Sequence, residues 1–207
     1  MAELIFYYGT MGSSKTAIAL MQRFQFIENN REVLFMKPAV DTRDDIVVDG
    51  KIIHLCKSRA GLQAEVDVIG QNESFADFYT NWLKGEHEAP DVVICDEAQF
   101  LSEDQVDTLK AFAEYQNVPV YCYGLRTDFT SHLFPGSKRL FELANMSIEL
   151  QSLCECGEPA IINGKFRRNR LVLKGNQVEI GGDDKYRPLC YKCYRYYKAE
   201  AEKRGKE

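Results

Sequence analysis

An apolar run that leads directly into a loop rich in glycine and serine is the feature that most constrains this chain. Residues 4–8 (LIFYY) have the composition of a buried strand, and residues 16–30 carry apolar side chains at helical spacing. The loop between them, GTMGSSKT at residues 9–16, matches the phosphate-binding pattern G-x-x-x-x-G-K-[ST], except that Ser14 replaces the second glycine. The sequence therefore predicts a strand, a nucleotide-binding P-loop and a helix in succession.

The chemistry of this loop suits anion binding. Backbone N–H groups at the start of a helix attract phosphate, Lys15 can reach the terminal phosphates, and the Thr16 hydroxyl can ligate Mg²⁺. A residue other than glycine at positive φ costs about 1 kcal/mol, so Ser14 either tolerates that strain or adopts an ordinary conformation. The predicted phosphate-binding residues are Gly9, Thr10, Met11, Gly12, Ser13, Ser14, Lys15 and Thr16.

Further along the chain, short apolar runs alternate with helical patterns. The predicted strands are residues 33–36, 92–95 and 118–123, and the predicted helices are residues 75–83 and 102–115. The polar residues 41–50 predict a loop, and residues 52–55 predict a weak strand. This alternation predicts an α/β fold with a P-loop NTPase-like parallel sheet flanked by helices, in which ligands bind beyond the carboxyl ends of the strands.

Composition limits the class of protein. A net charge of -5 argues against a surface that tracks nucleic acid, and 45% apolar residues suffice for a buried core. No stretch approaches the roughly 20 apolar residues of a membrane helix, and the first residues lack the pattern of a leader peptide. We therefore expect a cytoplasmic protein without nucleic-acid or membrane partners.

The pattern changes near residue 150, where glycine, cysteine and basic residues become frequent. We expect an α/β domain at residues 1–149, a zinc-binding domain at 150–195 and a charged tail at 196–207. Two close pairs of cysteines predict a structural tetrahedral Zn²⁺ site, and the ligands would be Cys154, Cys156, Cys190 and Cys193. Basic residues cluster at positions 165–170 between the pairs, and for most of them we expect a solvated face rather than a place near the nucleotide: Lys165, Arg167, Arg168 and Arg170.

An acidic pair follows the apolar run at residues 92–95. Asp96 at such a strand end can hold Mg²⁺, and Glu97 can accept a proton from an attacking hydroxyl. The alternative is an acidic pair that only stabilises the start of a helix through its dipole.

Five blocks in order along the chain resemble the type II thymidine kinases of bacterial type, deoxynucleoside kinases with a zinc-bearing lasso. They are GTMGSSKT at residues 9–16, KPAVDTR at 37–43, DEAQF at 96–100, YGLRTDF at 123–129 with Phe134, and IGGDDKY at 180–186, together with the cysteines. The resemblance covers nearly the whole chain, and it implies that the zinc-binding domain is the lasso domain.

The resemblance also implies residue roles. Glu97 would be the general base, Asp96 and Thr16 would lie near Mg²⁺, and Asp41 and Arg43 would lie beside the ATP phosphates, although a charged surface loop is an equal alternative for the last two. The residues implied in substrate binding are Met11, Phe100, Leu125, Phe129, Phe134, Gly181 and Tyr186, and without the resemblance the apolar ones would be ordinary core.

The implied function is transfer of the ATP γ-phosphoryl group to the 5′-hydroxyl of thymidine in pyrimidine deoxynucleotide salvage, and the acceptance of deoxyuridine stays open. The family further implies a homotetramer and feedback inhibition by dTTP. Two alternatives remain at this point. One is a P-loop phosphotransferase or ATPase with another acceptor, and the other is a non-catalytic zinc-ribbon module that binds nucleotides or nucleic acid.

Overall fold

The computed structural model describes residues 1–85, 87–175 and 186–204. The helices are α1 (Lys15–Glu28), α2 (Phe75–Leu83), α3 (Glu103–Tyr115), α4 (Pro135–Leu143) and α5 (Tyr191–Arg204), and a 3₁₀ turn spans Ala98–Phe100. The strands are β1 (Leu4–Gly9), β2 (Val33–Pro38), β3 (Ile46–Val48), β4 (Lys51–Ile53), β5 (Leu55–Lys57), β6 (Gln63–Glu65), β7 (Asp67–Ile69), β8 (Val92–Cys95), β9 (Val120–Leu125), β10 (Met146–Glu149), β11 (Ser152–Leu153), β12 (Pro159–Ala160), β13 (Ile162–Arg167), β14 (Arg170–Leu171) and β15 (Tyr186–Leu189). Within these ranges, no helix is both long and apolar enough to span a bilayer.

Six strands form one parallel sheet in the order β10-β1-β9-β8-β2-β7. Strand β1 therefore lies between β9 and β10, and the carboxyl ends of β1, β9 and β8 meet at one edge. Helices cover both faces of the sheet, which confirms the predicted α/β class. The loop predicted to bind phosphate, which we call the phosphate loop (residues 9–16), begins at this edge, at Gly9.

Strand β8 shows why its sequence is a continuous apolar run. Val92 and Ile94 belong to the core on the α1 side, whereas Val93 and Cys95 belong to the core shared with α2, α3 and α4. Successive side chains of a strand point to opposite faces, so a strand covered on both faces needs apolar residues throughout.

Helices α1, α2 and α3 begin and end close to the predicted positions, whereas the sequence analysis made no prediction for α4. Ser102 caps α3 reciprocally, because its hydroxyl accepts the Gln105 backbone N–H while the Gln105 side chain accepts the Ser102 N–H. In α1 only part of the apolar pattern is buried. Leu20 packs against the sheet, whereas Met21 and Phe24 are 54% and 61% exposed.

The prediction of a loop at residues 41–50 is wrong in part. Strand β3 lies within it and pairs with β4 in an antiparallel hairpin. The two turn residues, Asp49 at φ 50° and Gly50 at φ 77°, are both left-handed, which is the geometry that an Asp-Gly hairpin turn requires. The Asp-Gly pair between apolar residues is the sequence signal for this hairpin, and the polar composition of the segment obscured it.

The residues after β10 form a smaller unit, the C-terminal module (residues 150–175 and 186–204). Strand β13 pairs with β14 and β15, and its apolar side packs against α5 around Phe166 and Leu189. Helix α5 continues past position 195, where the sequence predicted a boundary. The exposed Arg167, Arg168 and Arg170 fit the expected solvated face, whereas Lys165 is buried, with 5% of its surface exposed.

Candidate functional site

The phosphate loop passes close beneath the C-terminal module. A Cβ atom on Gly9 would overlap the carbonyl oxygen of Leu150, so the glycine is required by this approach. The Thr10 and Ser152 hydroxyl groups hydrogen-bond to each other across the same contact. Contacts with Leu150 and Ser152, about 140 positions later in the sequence, therefore fix the phosphate loop.

Ser14 adopts the left-handed conformation, at φ 63° and ψ 18°, and precedes α1 without a hydrogen bond from its side chain to the helix end. The position thus has the backbone geometry that the second glycine of the pattern supplies, in a residue that carries a Cβ atom. Of the two possibilities that the sequence left open, the structure shows the strained one.

The Lys15 side chain is folded over the loop that precedes it. Its ammonium group donates to the Thr10 carbonyl oxygen at 2.7 Å and to the Ser13 hydroxyl at 3.2 Å. Burial lowers the pKa of Lys15 to about 8, although the carboxylates of Glu97 and Asp96 act in the opposite direction. A cation held in this way is placed to neutralise an anion on the loop.

Asp96 lies at the end of β8 and joins the phosphate loop to a neighbouring hairpin. Its Oδ2 accepts hydrogen bonds from the Thr16 hydroxyl at 2.8 Å and from the Cys56 thiol of β5 at 3.2 Å. Burial, together with repulsion by Glu97, raises the pKa of Asp96 to about 6. The carboxylate and the hydroxyl are the hard oxygen ligands that Mg²⁺ takes.

Glu97 is held at both carboxylate oxygens. Oε1 accepts from the Arg43 guanidinium at 2.6 Å, and Oε2 accepts from the Gln99 side-chain amide. Arg43 also pairs with Asp41 at 2.6 Å, so one arginine connects the two acidic residues. Glu97 itself is left-handed, at φ 51°, which turns the chain sharply into the 3₁₀ turn behind it. Gln99 continues the network by accepting the backbone N–H of Leu125, the last residue of β9.

A buried lysine supports the loop that carries Asp41 and Arg43. The Lys37 ammonium group, 1% exposed, lies 3.0 Å from the Asp45 carboxylate and 3.8 Å from that of Asp41. It also donates to the Leu55 carbonyl oxygen at 2.8 Å. Burial of a lysine costs several kcal/mol unless carboxylates pair with it, and here two do so. The network fixes this loop beside Glu97.

One cavity of about 640 Å³ contains most of the predicted site. Its lining includes loop residues, the charged residues Asp41, Arg43 and Glu97, and six of the predicted substrate residues: Met11, Phe100, Leu125, Phe129, Phe134 and Tyr186. The Phe100 and Phe134 rings pack edge to face with centroids 5.7 Å apart. Gly181 lies outside the described residues.

The sequence analysis missed several residues of this cavity. Four consecutive residues, beginning with the last residue of β5, line it: Lys57, Ser58, Arg59 and Ala60. Asn163 lines it from β13, and Lys165 places its ammonium group 4.7 Å from the centroid of the Phe129 ring. An arginine within a short loop of small residues was a signal for the first group. Asn163 carries no signal that single-sequence reasoning could use.

The four C-terminal cysteines come together. Their sulfur atoms all lie within 4.8 Å of one another, and those of Cys156 and Cys190 are 3.6 Å apart. A tetrahedral four-thiolate zinc site, with bonds of about 2.3 Å, has sulfur atoms about 3.8 Å apart, so the cluster has a suitable size for a metal ion. Although burial acts against it, backbone hydrogen bonds at Cys156 and Cys190 lower the pKa of Cys154 to about 7.

Comparison with known proteins gives consistent results. A family model described as thymidine kinase matches residues 2–194. The thymidine kinase of Enterobacteria phage T4 is 39% identical over 193 residues, which are 93% of this chain and 95% of the relative. The thymidine kinase of Legionella pneumophila strain Philadelphia 1 is 35% identical over 97% of this chain and 92% of its own, and that of Vibrio cholerae is 35% identical over 94% and 97%.

Proposed function

Because this chain belongs to the thymidine kinase family, we propose that it transfers the γ-phosphoryl group of ATP to the 5′-hydroxyl of thymidine, giving dTMP and ADP. The observation that carries the proposal is the shared cavity, where Lys15, Thr16 and Glu97 open into the same space as an aromatic pocket. A kinase must hold the γ-phosphorus and the acceptor oxygen about 3–3.5 Å apart, and a single cavity can hold both substrates.

In this proposal the phosphate loop binds the ATP phosphates. Backbone N–H groups at the start of α1 face the anion, and Lys15 transfers its hydrogen bonds from the Thr10 carbonyl oxygen and Ser13 to the phosphate oxygens. Arg43 contributes a second cation, because its guanidinium group lines the same cavity between Asp41 and Glu97.

Thr16 and Asp96 would hold the magnesium ion that accompanies ATP. The fit rests on their chemistry and burial: a hydroxyl and a carboxylate lie 2.8 Å apart at the start of α1, and Asp96 is 3% exposed. When bound, the ion neutralises charge on the β- and γ-phosphates. Thr16 and Asp96 would thereby keep the positive charge of the ion beside the phosphate loop.

Glu97 would act as the general base. As the thymidine oxygen bonds to the γ-phosphorus, the bond from phosphorus to the β,γ-bridging oxygen breaks, the 5′-hydroxyl proton passes to Glu97, and ADP leaves. Each oxygen of the carboxylate keeps a lone pair beyond its bond to Arg43 or Gln99, so the geometry leaves Glu97 able to accept a proton. The ion pair with Arg43 also holds the carboxylate in position.

The apolar part of the cavity would hold the thymine base. Phe100 and Phe134 form an aromatic wall, and Leu125 and Met11 supply further apolar surface. An uncharged, flat ring of pyrimidine size suits such a pocket better than a charged acceptor does. Tyr186, at the start of β15, places the C-terminal module at the edge of the same cavity.

The four clustered cysteines would hold one structural Zn²⁺. Four thiolates fill the tetrahedral shell and leave no position for a substrate, so the metal would stabilise the module rather than take part in the reaction. Cys190 follows β15 directly, and the metal would thereby fix the strand that carries Tyr186.

Thymidine phosphorylation by Glu97→Gln, with Glu103→Gln as a matched control on the exposed first turn of α3, tests the proposal. We expect kcat of Glu97→Gln to fall roughly 10²–10⁴-fold, the usual contribution of a general base, while the control retains wild-type kcat. Full activity of Glu97→Gln would refute the assigned base. A wild-type protein that phosphorylates other acceptors in preference to thymidine would refute the assigned substrate.

A further inference from the structure

Asn163 is a buried amide that joins three separate parts of the chain. It lies on β13 of the C-terminal module, opposite Pro188 of β15, and is 2% exposed. Its Oδ1 accepts the backbone N–H of Met11 at 2.7 Å, and its Nδ2 donates to the Thr127 carbonyl oxygen at 3.0 Å. Met11 belongs to the phosphate loop, and Thr127 belongs to the segment that leads from β9 to Phe129.

The two partners determine the orientation of the amide. A backbone N–H can only donate and a carbonyl oxygen can only accept, so the side chain must present its oxygen to Met11 and its nitrogen to Thr127. A side chain of this size meets both needs only if it carries an acceptor and a donor side by side. Leucine has the same shape without either group, and an ionised aspartate has acceptors alone.

The two hydrogen bonds of Asn163 lie at the cavity that is proposed to hold both substrates. Met11, Thr127 and Asn163 all line the cavity. One bond fixes the loop proposed to hold the phosphates, and the other fixes the segment that brings Phe129 to the base pocket. One side chain therefore links the proposed phosphate site directly to the proposed base pocket.

Attachment of the C-terminal module does not depend on Asn163 alone. Ser152 hydrogen-bonds to Thr10, and the Arg126 guanidinium donates to the Ile161 carbonyl oxygen at 3.3 Å. These contacts remain when Asn163 is replaced, so its removal should disturb the loops without detaching the module.

We propose that Asn163 is a positioning residue that keeps the phosphate loop and the base pocket at the spacing that phosphoryl transfer requires. This inference rests on the proposed function, since it takes the loop as the ATP site and the apolar pocket as the thymidine site. It assigns to β13 a part in the reaction through Met11 and Thr127, without contact between Asn163 and the reacting atoms.

The test compares Asn163→Leu and Asn163→Asp with the wild type in steady-state kinetics and in binding of a non-hydrolysable ATP analogue. Asn145→Leu is the matched control, because Asn145 also accepts a backbone N–H, that of Leu4, but at the opposite end of β1. For Asn163→Leu we expect KM for ATP and KM for thymidine to rise together. Each should rise about tenfold, because each site loses one buried hydrogen bond, that to Met11 or that to Thr127. The control should stay within twofold of the wild type in both.

Asn163→Asp supplies a readout that a merely structural role would not produce. A protonated carboxyl group has an acceptor for Met11 and a donor for Thr127, and burial raises the pKa of such a group. The ratio of variant to wild-type KM should therefore approach one as the pH falls from 8 to 6, whereas the ratio for Asn163→Leu should stay constant. The charged residues on the neighbouring segments, Arg126, Asp128 and Lys165, are the same in all the proteins compared.

Wild-type KM values in Asn163→Leu would overturn the inference, and so would equal losses in Asn145→Leu or an Asn163→Asp ratio that does not change with pH. If Asn163→Leu does not fold, the pH dependence of Asn163→Asp decides. An inactive wild type would count against the proposed function instead, so the two failures are distinguishable.

Discussion

Replacement of Ser14 by glycine should stabilise the protein. The left-handed conformation costs a residue with a Cβ atom roughly 1–2 kcal/mol, and glycine avoids this cost but loses about 0.5–1 kcal/mol through its greater freedom in the unfolded chain. Because Ser14 makes no capping hydrogen bond, no bond is lost. We expect the free energy of unfolding to rise by about 0.5–1 kcal/mol, and Tm by about 1–4 °C for a chain of this length.

Two further substitutions separate the causes of this effect. Ser14→Ala keeps the Cβ atom and should change stability by less than about 0.5 kcal/mol, in contrast to the 0.5–2 kcal/mol lost when a capping serine is removed. Gly12→Ala is the reverse experiment, because Gly12 has φ 80° and space for a methyl group. It should destabilise by about 1 kcal/mol or more.

Urea unfolding followed by the fluorescence of Trp82, the sole tryptophan, measures all three variants. Destabilisation by Ser14→Gly would refute the argument from backbone strain. A loss in Ser14→Ala as large as that of a capping serine would instead show that the hydroxyl has a role at the helix end.

Three further predictions concern charge and metal. The kcat/KM for ATP should rise with pH near 6, as Asp96 ionises, and fall above about 8, as Lys15 loses its proton. Lys15→Arg should remove the alkaline decline. A flat pH profile of the wild type would contradict the roles assigned to Asp96 and Lys15. Lys37→Met removes the buried cation that Asp41 and Asp45 share, although Asp41 keeps its pair with Arg43, and it should lower the free energy of unfolding by about 1.5–3 kcal/mol, measured in urea; a loss below about 0.5 kcal/mol would contradict the role of the network. Cys156→Ser should abolish the binding of one zinc per chain, measured by elemental analysis, whereas Cys122→Ser should retain it, and equal zinc content would contradict the predicted site.

The parts of the fold that depend on local periodicity could be predicted from the sequence. Strand β8 and helix α2 were predicted with the same ends as in the structure, because a strand covered on both faces and an amphipathic helix each impose a short repeat. The hairpin of β3 and β4 was not predicted, because the polar composition of residues 41–50 favours a loop. The Asp49-Gly50 pair, which is typical of a two-residue hairpin turn, was the signal for it.

Some residues of the candidate site could likewise be predicted from the sequence, and others could not. Lys15 and Glu97 stand in recognisable patterns beside the ends of strands, and such ends converge in any parallel sheet. Asn163 and Lys165 acquire their places only through contacts with residues far along the chain, and the pattern around them resembles an ordinary surface hairpin. The conformation of Ser14 could be reduced to two alternatives, and the sequence carries no signal that decides between them.

The place of β1 between β9 and β10 has a consequence for biosynthesis. Both strands that pair with it, β9 and β10, are translated more than 100 residues later. At about 5–20 residues per second, β1 and the loop after it wait several seconds on the ribosome without partners. A nascent chain that stops before β10 therefore exposes a bare apolar strand edge, which a chaperone or another chain can occupy.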